Sequence, residues 1–188
     1  SGTWFTRYSF FNGNPDYSYG IPEYDSIGLF QIGVYQYYEL THNESFISAL
    51  IPVINKSLNW EYRVINNSGL IPQDLSIWED LYVYNFWTQA VDLDGLIASY
   101  RLYSELGYNA SWILVMINKL NNTIQHYFYL DGCYVRALRP SEVYYQGKIQ
   151  VTLAPTSVVY DSSVILPIDL GLINPLSSRA VNAANCVI

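Results

Sequence analysis

Apolar side chains recur at helical spacing in the first third of the chain. In residues 25–39 and 43–64 they follow the i, i+3, i+7 series that gives a helix one apolar face. The residues on these faces are Ile27, Phe30, Val34, Tyr37 and Tyr38 in the first segment, and Phe46, Leu50, Val53, Ile54, Leu58 and Tyr62 in the second. The pattern predicts two helices joined by a short connection, with a kink at Pro52, which lacks a backbone donor.

Two more helices are predicted after an aperiodic stretch at residues 70–85, which we expect to be an ordered loop. One covers residues 86–106 and stops at Gly107, since glycine adopts the left-handed conformation that ends many helices. The next begins at Ser111, whose hydroxyl can cap it. Asp92 and Asp94 lie on the first of these helices, and we expect them to face solvent or the rim of a site.

The last third of the chain mixes strand and helix patterns. Asp131-Gly132 is a strong turn signal between residues 127–130 and 133–139, so a small β-hairpin is predicted. Alternation at residues 149–153 indicates one more short strand, and residues 161–170 and 177–188 have helical patterns. Helix pairs recur about every 40 to 50 residues, the scale of an α-solenoid or a toroid of paired helices. The predicted fold class is mainly α with a small β-hairpin insertion.

The composition limits what the chain can be. Its 188 residues suit a single domain, and with 51% hydrophobic and 13% charged residues it has enough apolar surface to fold. Nine basic against 16 acidic residues give a net charge of −7, which leaves no basic stripe for phosphates, so we expect no nucleic-acid partner. No apolar stretch approaches the roughly 18 residues of a membrane span, and none is expected.

Five Asn-x-Ser/Thr sequons indicate a secretory route. They begin at Asn43, Asn55, Asn66, Asn109 and Asn121. As candidate N-glycosylation sites they predict an extracellular or cell-surface location. The two cysteines, Cys133 and Cys186, could pair or remain free thiols, and the sequence leaves both options open. The chain begins at Ser1 without a methionine, and we expect it to be a processed or excised piece.

Potentially reactive side chains are concentrated in the loop at residues 74–80. Glu79 follows Trp78, and an indole beside a carboxyl group displaces water, which raises the carboxyl pKa and keeps a proton available near neutral pH. The adjacent Asp80 would act in the same direction by like-charge repulsion. The following aromatic residues would offer flat faces to sugar C–H groups. The structural alternative is that Glu79 and Asp80 only complement the dipole of the next helix.

Other candidate chemistry has weaker signals. Asp25 stands where the first helix begins and can be explained as its N-cap. His42 and His126 are far apart in sequence and outside any metal-ligand spacing, so no metal site is predicted. The sequence contains no GxGxxG, P-loop, GxSxG or CxxC motif, and no cofactor is expected.

The segment Ser76-Ile77-Trp78-Glu79-Asp80 resembles the catalytic Trp-Glu-acid segment of glycoside hydrolase family 15, the group of glucoamylases, glucodextranases and trehalases. Further landmarks occur in the order that the family has them and extend the resemblance over nearly all of the chain. They are Arg7-Tyr8, the segment from Pro22 to Gly28, Thr88-Gln89-Ala90, Ser104-Glu105-Leu106-Gly107, Asp161-Ser162-Ser163, Asn174-Pro175 and Ser178-Arg179-Ala180. One departure is Leu75-Ser76-Ile77, where many members have Tyr-Asp-Leu, so that the acidic residue is displaced to Asp74.

The resemblance implies an (α/α)6 toroid of paired helices that hydrolyses α-glucosidic bonds from non-reducing ends with inversion. Residue by residue, Glu79 matches the general acid, and Trp78 and Asp80 match its neighbours at the sugar subsite. Asp25 and Asp74 are carried over as further substrate-binding residues on pattern alone. An α-glucan or oligosaccharide would be the substrate.

The resemblance also implies that the toroid is present only in part. The family takes its general base from a late segment, and inversion needs two carboxyl groups about 6.5–9.5 Å apart. We therefore expect residues 1–188 to be a partial (α/α)6 catalytic domain that lacks its first and last helices. Such a piece would be inactive alone and completed by the remainder of a parent chain or by a subunit. The alternative is a non-catalytic extracellular module that binds carbohydrate or serves a structural role on the same helical scaffold.

Overall fold

The computed structural model describes residues 2–4, 8–9, 11–16, 22–77, 80–156 and 160–187. In these residues the chain is mainly helical with a small antiparallel sheet, which confirms the predicted class. The helices are α1 (Asp25–Thr41), α2 (Glu44–Ser68), α3 (Phe86–Glu105), α4 (Ser111–Tyr127), α5 (Leu166–Asp169) and α6 (Ser178–Asn185). The strands are β1 (Tyr84–Asn85), β2 (Tyr129–Leu130), β3 (Cys133–Tyr134), β4 (Ala137–Tyr145) and β5 (Lys148–Pro155). None of the helices in the described ranges combines the length and the apolar character that crossing a bilayer requires.

Helices α1 and α2 have ends that follow from their local sequence. After α1, His42 turns the chain with a φ of 49°. Asn43 then caps α2, because its side-chain oxygen accepts a hydrogen bond from the Phe46 N–H at 3.0 Å. Helix α2 continues through Pro52 and stops before Gly69, whose φ of 80° is readily adopted by glycine.

Helices α3 and α4 begin and end close to the predicted residues. Gly107 has a φ of 75° and follows the last turn of α3, as predicted. Ser111, however, is the first residue of α4 and not its cap. The N-cap is Ala110, which has no side-chain cap, and the Asn109 side-chain oxygen accepts hydrogen bonds from the Ser111 N–H at 3.1 Å and from its hydroxyl at 2.7 Å in an Asx turn that leads into the helix.

Helix α3 lies at the centre of the core and packs against α1 and α4. Thirteen of its 20 residues are buried. Gly28 of α1 and Gly95 of α3 bring the two backbones into contact, since a Cβ on Gly95 would lie 2.6 Å from the Gly28 Cα. Asp92 belongs to the buried set, which corrects the expectation that it faces solvent, while Asp94 is only partly buried.

The strands form two small antiparallel units. Strands β2 and β3 make the predicted hairpin, and its turn residues Asp131 and Gly132 have φ values of 50° and 90°. Strands β4 and β5 make a longer hairpin around Gln146-Gly147, and β1 pairs with the outer edge of β4. Only part of β5 was predicted. The predicted strand over residues 133–139 takes in only the start of β4, because the polar run at residues 139–142 hides any alternation beyond it.

The C-terminal segments are held to the rest of the molecule by a disulfide bond. Cys133 of β3 and Cys186 after α6 are bonded, with Cα atoms 6.1 Å apart, which answers the open question of their pairing. Residues 161–170 form a 3₁₀ turn (Ser162–Ile165) and the short α5, where one helix was predicted. Pro167 explains the break, because it has no N–H to donate to the preceding turn.

Candidate functional site

The loop that carries the candidate general acid is closed at its base. Asp74 and Val83 pair through two main-chain hydrogen bonds of 3.0 Å and 3.2 Å. These bonds hold the two ends of the loop next to each other. The Leu75 N–H also donates to the carbonyl of Pro22, ahead of α1, at 3.2 Å. Trp78 and Glu79 lie outside the described residues. Their assignments as sugar-subsite residue and general acid stay predictions.

Asp74 is fully buried and organises the base of this loop. Its Oδ2 accepts hydrogen bonds from the Tyr24 N–H at 3.0 Å and from the Thr88 hydroxyl at 2.8 Å. Its Oδ1 accepts one from the Asn85 side chain at 3.0 Å. Burial raises the pKa of Asp74 to about 6, while these hydrogen bonds oppose the rise. One carboxyl group therefore ties the starts of α1 and α3 to the loop.

Asp25 lies beside the same loop base. Its Oδ2 accepts a hydrogen bond from the Trp87 indole at 3.0 Å, which joins α1 and α3 a second time. Asp25 is the first residue of α1, with Tyr24 in the N-cap position, and this corrects the interpretation of Asp25 as the cap. Burial raises the pKa of Asp25, and the indole hydrogen bond lowers it. The structure brings Asp25 and Asp74 together, and their contact with a sugar stays a prediction.

Ser76 has a strained backbone two residues before Trp78. Its φ of 54° lies in the left-handed region, which costs a non-glycine residue about 1–3 kcal/mol. Ser76 is fully buried, and its hydroxyl has no hydrogen-bond partner within the described part of the chain. Strain of this kind persists only where the surrounding structure holds it, and it is concentrated at functional sites.

Asp80 forms an ion pair with an arginine. Its carboxylate pairs with the guanidinium of Arg136, whose Nε also lies 2.9 Å from the Asp161 Oδ2. The side chain of Arg136 is 8% exposed, whereas that of Asp80 is 44% exposed. Asp80 therefore belongs to an ionic cluster separate from Asp25 and Asp74, and its subsite role stays a prediction.

Two buried acids near Asp25 and Asp74 were not predicted from the sequence. Glu61 of α2 and Asp92 of α3 are fully buried at the junction of α1, α2 and α3. Gln31 of α1 donates to the Glu61 Oε2 at 2.6 Å. Burial raises the pKa of both acids, and the charges of Glu61, Asp25 and Asp74 raise that of Asp92 further. The carboxyl group of Asp92 thus experiences the charges of three other acids in the interior.

A sequence signal existed for one of these two acids. Glu61 stands seven residues after Ile54 and four before Ile65, which places it on the apolar stripe of α2. Its carboxyl group had to enter the core. Asp92 carries no such signal, because α3 is buried on nearly every side and has no one-sided stripe.

Aromatic rings lie close to the loop base. Tyr24 packs against Trp60 with ring centroids 4.8 Å apart. Burial raises the pKa of Tyr24, and the nearby Tyr82 and Asp74 raise it further. The side chain of Tyr82 is exposed. Apolar rings beside a few buried polar groups are the usual composition of a small-molecule site.

Metal and glycan candidates were also located in the structure. No group of three or more His, Cys, Asp or Glu side chains in the described ranges is arranged to hold a metal ion. Asn55 is half-buried within α2, and its Oδ1 accepts a hydrogen bond from the Tyr103 hydroxyl at 2.9 Å. The other sequon asparagines are exposed, namely Asn43, Asn66, Asn109 and Asn121. Glycosylation at all five positions stays a prediction.

No protein-family model matches the sequence, and no curated protein shows significant similarity to it.

Proposed function

We propose that this chain forms part of the catalytic domain of an inverting glycoside hydrolase, which cleaves α-glucosidic bonds from non-reducing ends with Glu79 as general acid. The observation that carries the proposal is the anchored loop of residues 75–82, closed by the pairing of Asp74 with Val83. A proton donor needs a fixed position relative to the bond that it protonates. The residues on either side of Glu79 in the sequence are held by such contacts, at Asp74 and Val83 through the main chain and at Asp80 through Arg136.

The acidic surroundings of the loop support a protonated carboxyl group. Burial and mutual repulsion raise the pKa of the acids next to its base, that of Asp74 to about 6. Burial also raises the pKa of Asp25, Glu61 and Asp92. Protonation of a leaving group requires an acid that keeps its proton near neutral pH, and these four buried acids show that the interior beside the loop base disfavours negative charge.

The other site residues have supporting roles in this proposal. Trp78 and the exposed Tyr82 provide aromatic surface for the sugar ring. Asp80 is half-exposed and can accept a hydrogen bond from a sugar hydroxyl while it is paired with Arg136. Asp25 and Asp74 are buried, and they act by fixing the starts of α1 and α3 around the subsite.

The (α/α)6 toroid belongs to the same proposal. Exposed apolar side chains on the outer faces of α1 and α2 support packing against further helices, for example Leu40 (85% exposed) and Phe46 (45% exposed). The remaining helices and the general base would come from a parent chain or a subunit. An extracellular or cell-surface location is also proposed, and N-glycan mass on the native protein would support it.

The test is hydrolysis of maltooligosaccharides by the full chain as its gene encodes it. Glu79→Gln should lower kcat by about 10²–10⁴-fold, the range that general acid catalysis contributes, with little change in KM. Glu39→Gln is the matched control, because Glu39 is exposed and lies about 21 Å along α1 from Asp25. Wild-type turnover by Glu79→Gln would contradict the assignment.

Calorimetry with the same oligosaccharides separates the proposal from its alternative. Binding without release of glucose would support a non-catalytic carbohydrate-binding module. Neither binding nor hydrolysis across α-1,4, α-1,6 and α,α-1,1 glucosides would contradict any carbohydrate function.

A further inference from the structure

Strand β5 is the outer strand of the three-stranded sheet. The strand order is β1-β4-β5, and in the part of the chain that the structure describes no further strand pairs with the free side of β5. Residues 146–152, which include the turn and most of β5, are exposed. The free side of such a strand is a row of main-chain donors and acceptors that can pair with another strand.

The register of the hairpin decides which main-chain groups face the free side. Directly after β5, the Thr156 N–H donates to the carbonyl of Ala137 at 3.1 Å, across the same ladder that joins β5 to β4. Residues that hydrogen bond to the partner strand alternate with residues that do not. The even-numbered residues of β5 therefore bond to β4, and Ile149, Val151 and Leu153 present their main-chain groups to the free side.

The same three residues place apolar side chains on one face of the sheet, because alternate residues of a strand share a face. Ile149 is 65% exposed and Val151 is 68% exposed, while Leu153 is partly buried against the core. Tyr144 of β4, 75% exposed, lies directly opposite Ile149 and extends this face. An exposed apolar strip thus runs beside the unpaired backbone.

The interior of β5 lacks the features that usually protect an edge strand. Soluble proteins prevent unwanted pairing with charged side chains, proline or a bulge along the edge. The charged residue of β5, Lys148, is its first residue, and its proline, Pro155, is its last. Pairing with β4 is regular from Lys148 to Pro155, without a bulge. Residues 149–154 are therefore free to accept a further strand.

A second copy of the chain fits this edge because β5 is complementary to itself. In antiparallel pairing about a two-fold axis at Val151, each Val151 faces its counterpart, and each Ile149 faces Leu153 of the second copy. All of these pairs are apolar, and they form about six main-chain hydrogen bonds. Lys148 faces Ala154, and the two lysines lie about 20 Å apart, so they do not repel each other strongly.

The distribution of charge also favours contact at this hairpin. The whole chain has a net charge of −7, so two copies repel each other over most of their surfaces. The hairpin of β4 and β5 carries two basic residues, Arg139 and Lys148, and one acidic residue, Glu142. It is therefore a region where two copies can approach without acidic surfaces facing each other.

We propose that β5 is a dimerisation edge, at which two copies of the chain pair through antiparallel β5 strands about a two-fold axis at Val151. The two three-stranded sheets then form one continuous six-stranded sheet, and the strip of Ile149, Val151 and Leu153 is covered by its own counterpart. This proposal does not depend on the proposed hydrolase function.

Disulfide trapping of the full chain tests the pairing and its register. In the proposed dimer the two Val151 Cα atoms lie about 5.5 Å apart, a separation that a disulfide bond spans. Val151→Cys should therefore form a covalent dimer on mild oxidation. Gln150→Cys is the matched control and should stay monomeric on a non-reducing gel, because its Cα atoms would lie about 8 Å apart. The native cysteines are already bonded to each other.

Light scattering over a dilution series provides an independent measurement on the same protein. The wild type should have the mass of two chains. Val151→Lys places two like charges opposite each other at the two-fold axis, so it should reduce the mass to that of one chain. Val143→Lys is the control, because Val143 is exposed but lies on β4, away from the free edge, and this variant should stay dimeric.

Three results would overturn the proposal. A wild type with the mass of one chain at every concentration would do so. If the β5 amides of that monomer were protected from hydrogen exchange, another segment of a parent chain would occupy the edge instead. A dimer that persists in Val151→Lys, or that traps Gln150→Cys as readily as Val151→Cys, would use a different surface or register.

Discussion

Gln31 donates a hydrogen bond to Glu61 across 2.6 Å at the junction of α1, α2 and α3. The remaining oxygens of these two side chains, and both oxygens of Asp92, are buried without a hydrogen-bond partner in the part of the chain that the structure describes. Buried acceptors without donors are costly, and an unpaired buried charge is more so. Protons on Glu61 and Asp92 would relieve both costs, and the raised pKa values agree with this.

Raising the pH should therefore destabilise the folded chain. Burial raises the pKa of Glu61, Asp92 and Asp74, the last to about 6, above the ordinary carboxyl values that they regain on unfolding. The folded state then binds more protons than the unfolded state. The stabilisation is complete below about pH 4 and is lost as the pH rises through the raised values. Urea unfolding of the full chain between pH 4 and pH 8 measures this loss.

Glu61→Gln isolates the contribution of one of these acids. Glutamine does not ionise, so the variant should lose less stability than the wild type between pH 4 and pH 8. The exposed Glu39→Gln is the control and should follow the wild type. A Glu61→Gln variant with the wild-type pH dependence would show that Glu61 does not retain its proton in the folded state.

Gly28→Ala and Gly95→Ala should each destabilise the chain by about 1–3 kcal/mol or more. A Cβ at Gly28 would lie 2.5 Å from the Val91 carbonyl oxygen, and one at Gly95 would lie 2.6 Å from the Gly28 Cα. Backbone atoms cannot move aside as a flexible side chain can. Chemical unfolding of the two variants measures the cost.

Gly33→Ala is the matched control on α1. A Cβ at Gly33 meets no atom within 4 Å, so alanine should stabilise the helix by about 0.5–1 kcal/mol. Equal effects of Gly28→Ala and Gly33→Ala would rule out the close crossing of α1 and α3.

Removal of the disulfide should cost about 4 kcal/mol, because the bond joins residues 53 positions apart and restricts the unfolded chain. The double variant Cys133→Ser/Cys186→Ser should melt at a lower temperature than the wild type. The wild type with its disulfide reduced should have the same melting temperature as the double variant. An unchanged melting temperature would contradict a stabilising role for this bond.

The sequence predicted the helices better than the site. One-sided apolar stripes located α1, α2 and α4, and Gly107 marked the end of α3. Most of strand β4 was missed, although β5 follows it directly in a hairpin, because its central residues are polar and leave little alternation to detect.

The carboxyl groups show why the site was only partly predicted. Asp25 and Asp74 were singled out from local patterns, but the contacts that define them come from α3, more than ten residues away in sequence. Arg136 stands 56 residues after Asp80, and no local pattern could pair them. Such partners are decided by how the helices pack.

The most direct measurement compares two substrates of the full chain in the Glu79→Gln variant. Maltotriose needs a protonated leaving group, whereas α-glucosyl fluoride releases fluoride without one. If Glu79 is the general acid, kcat should fall by about 10²–10⁴-fold on maltotriose and by less than about 10-fold on the fluoride. Equal losses on both substrates, or no loss on maltotriose, would contradict the account.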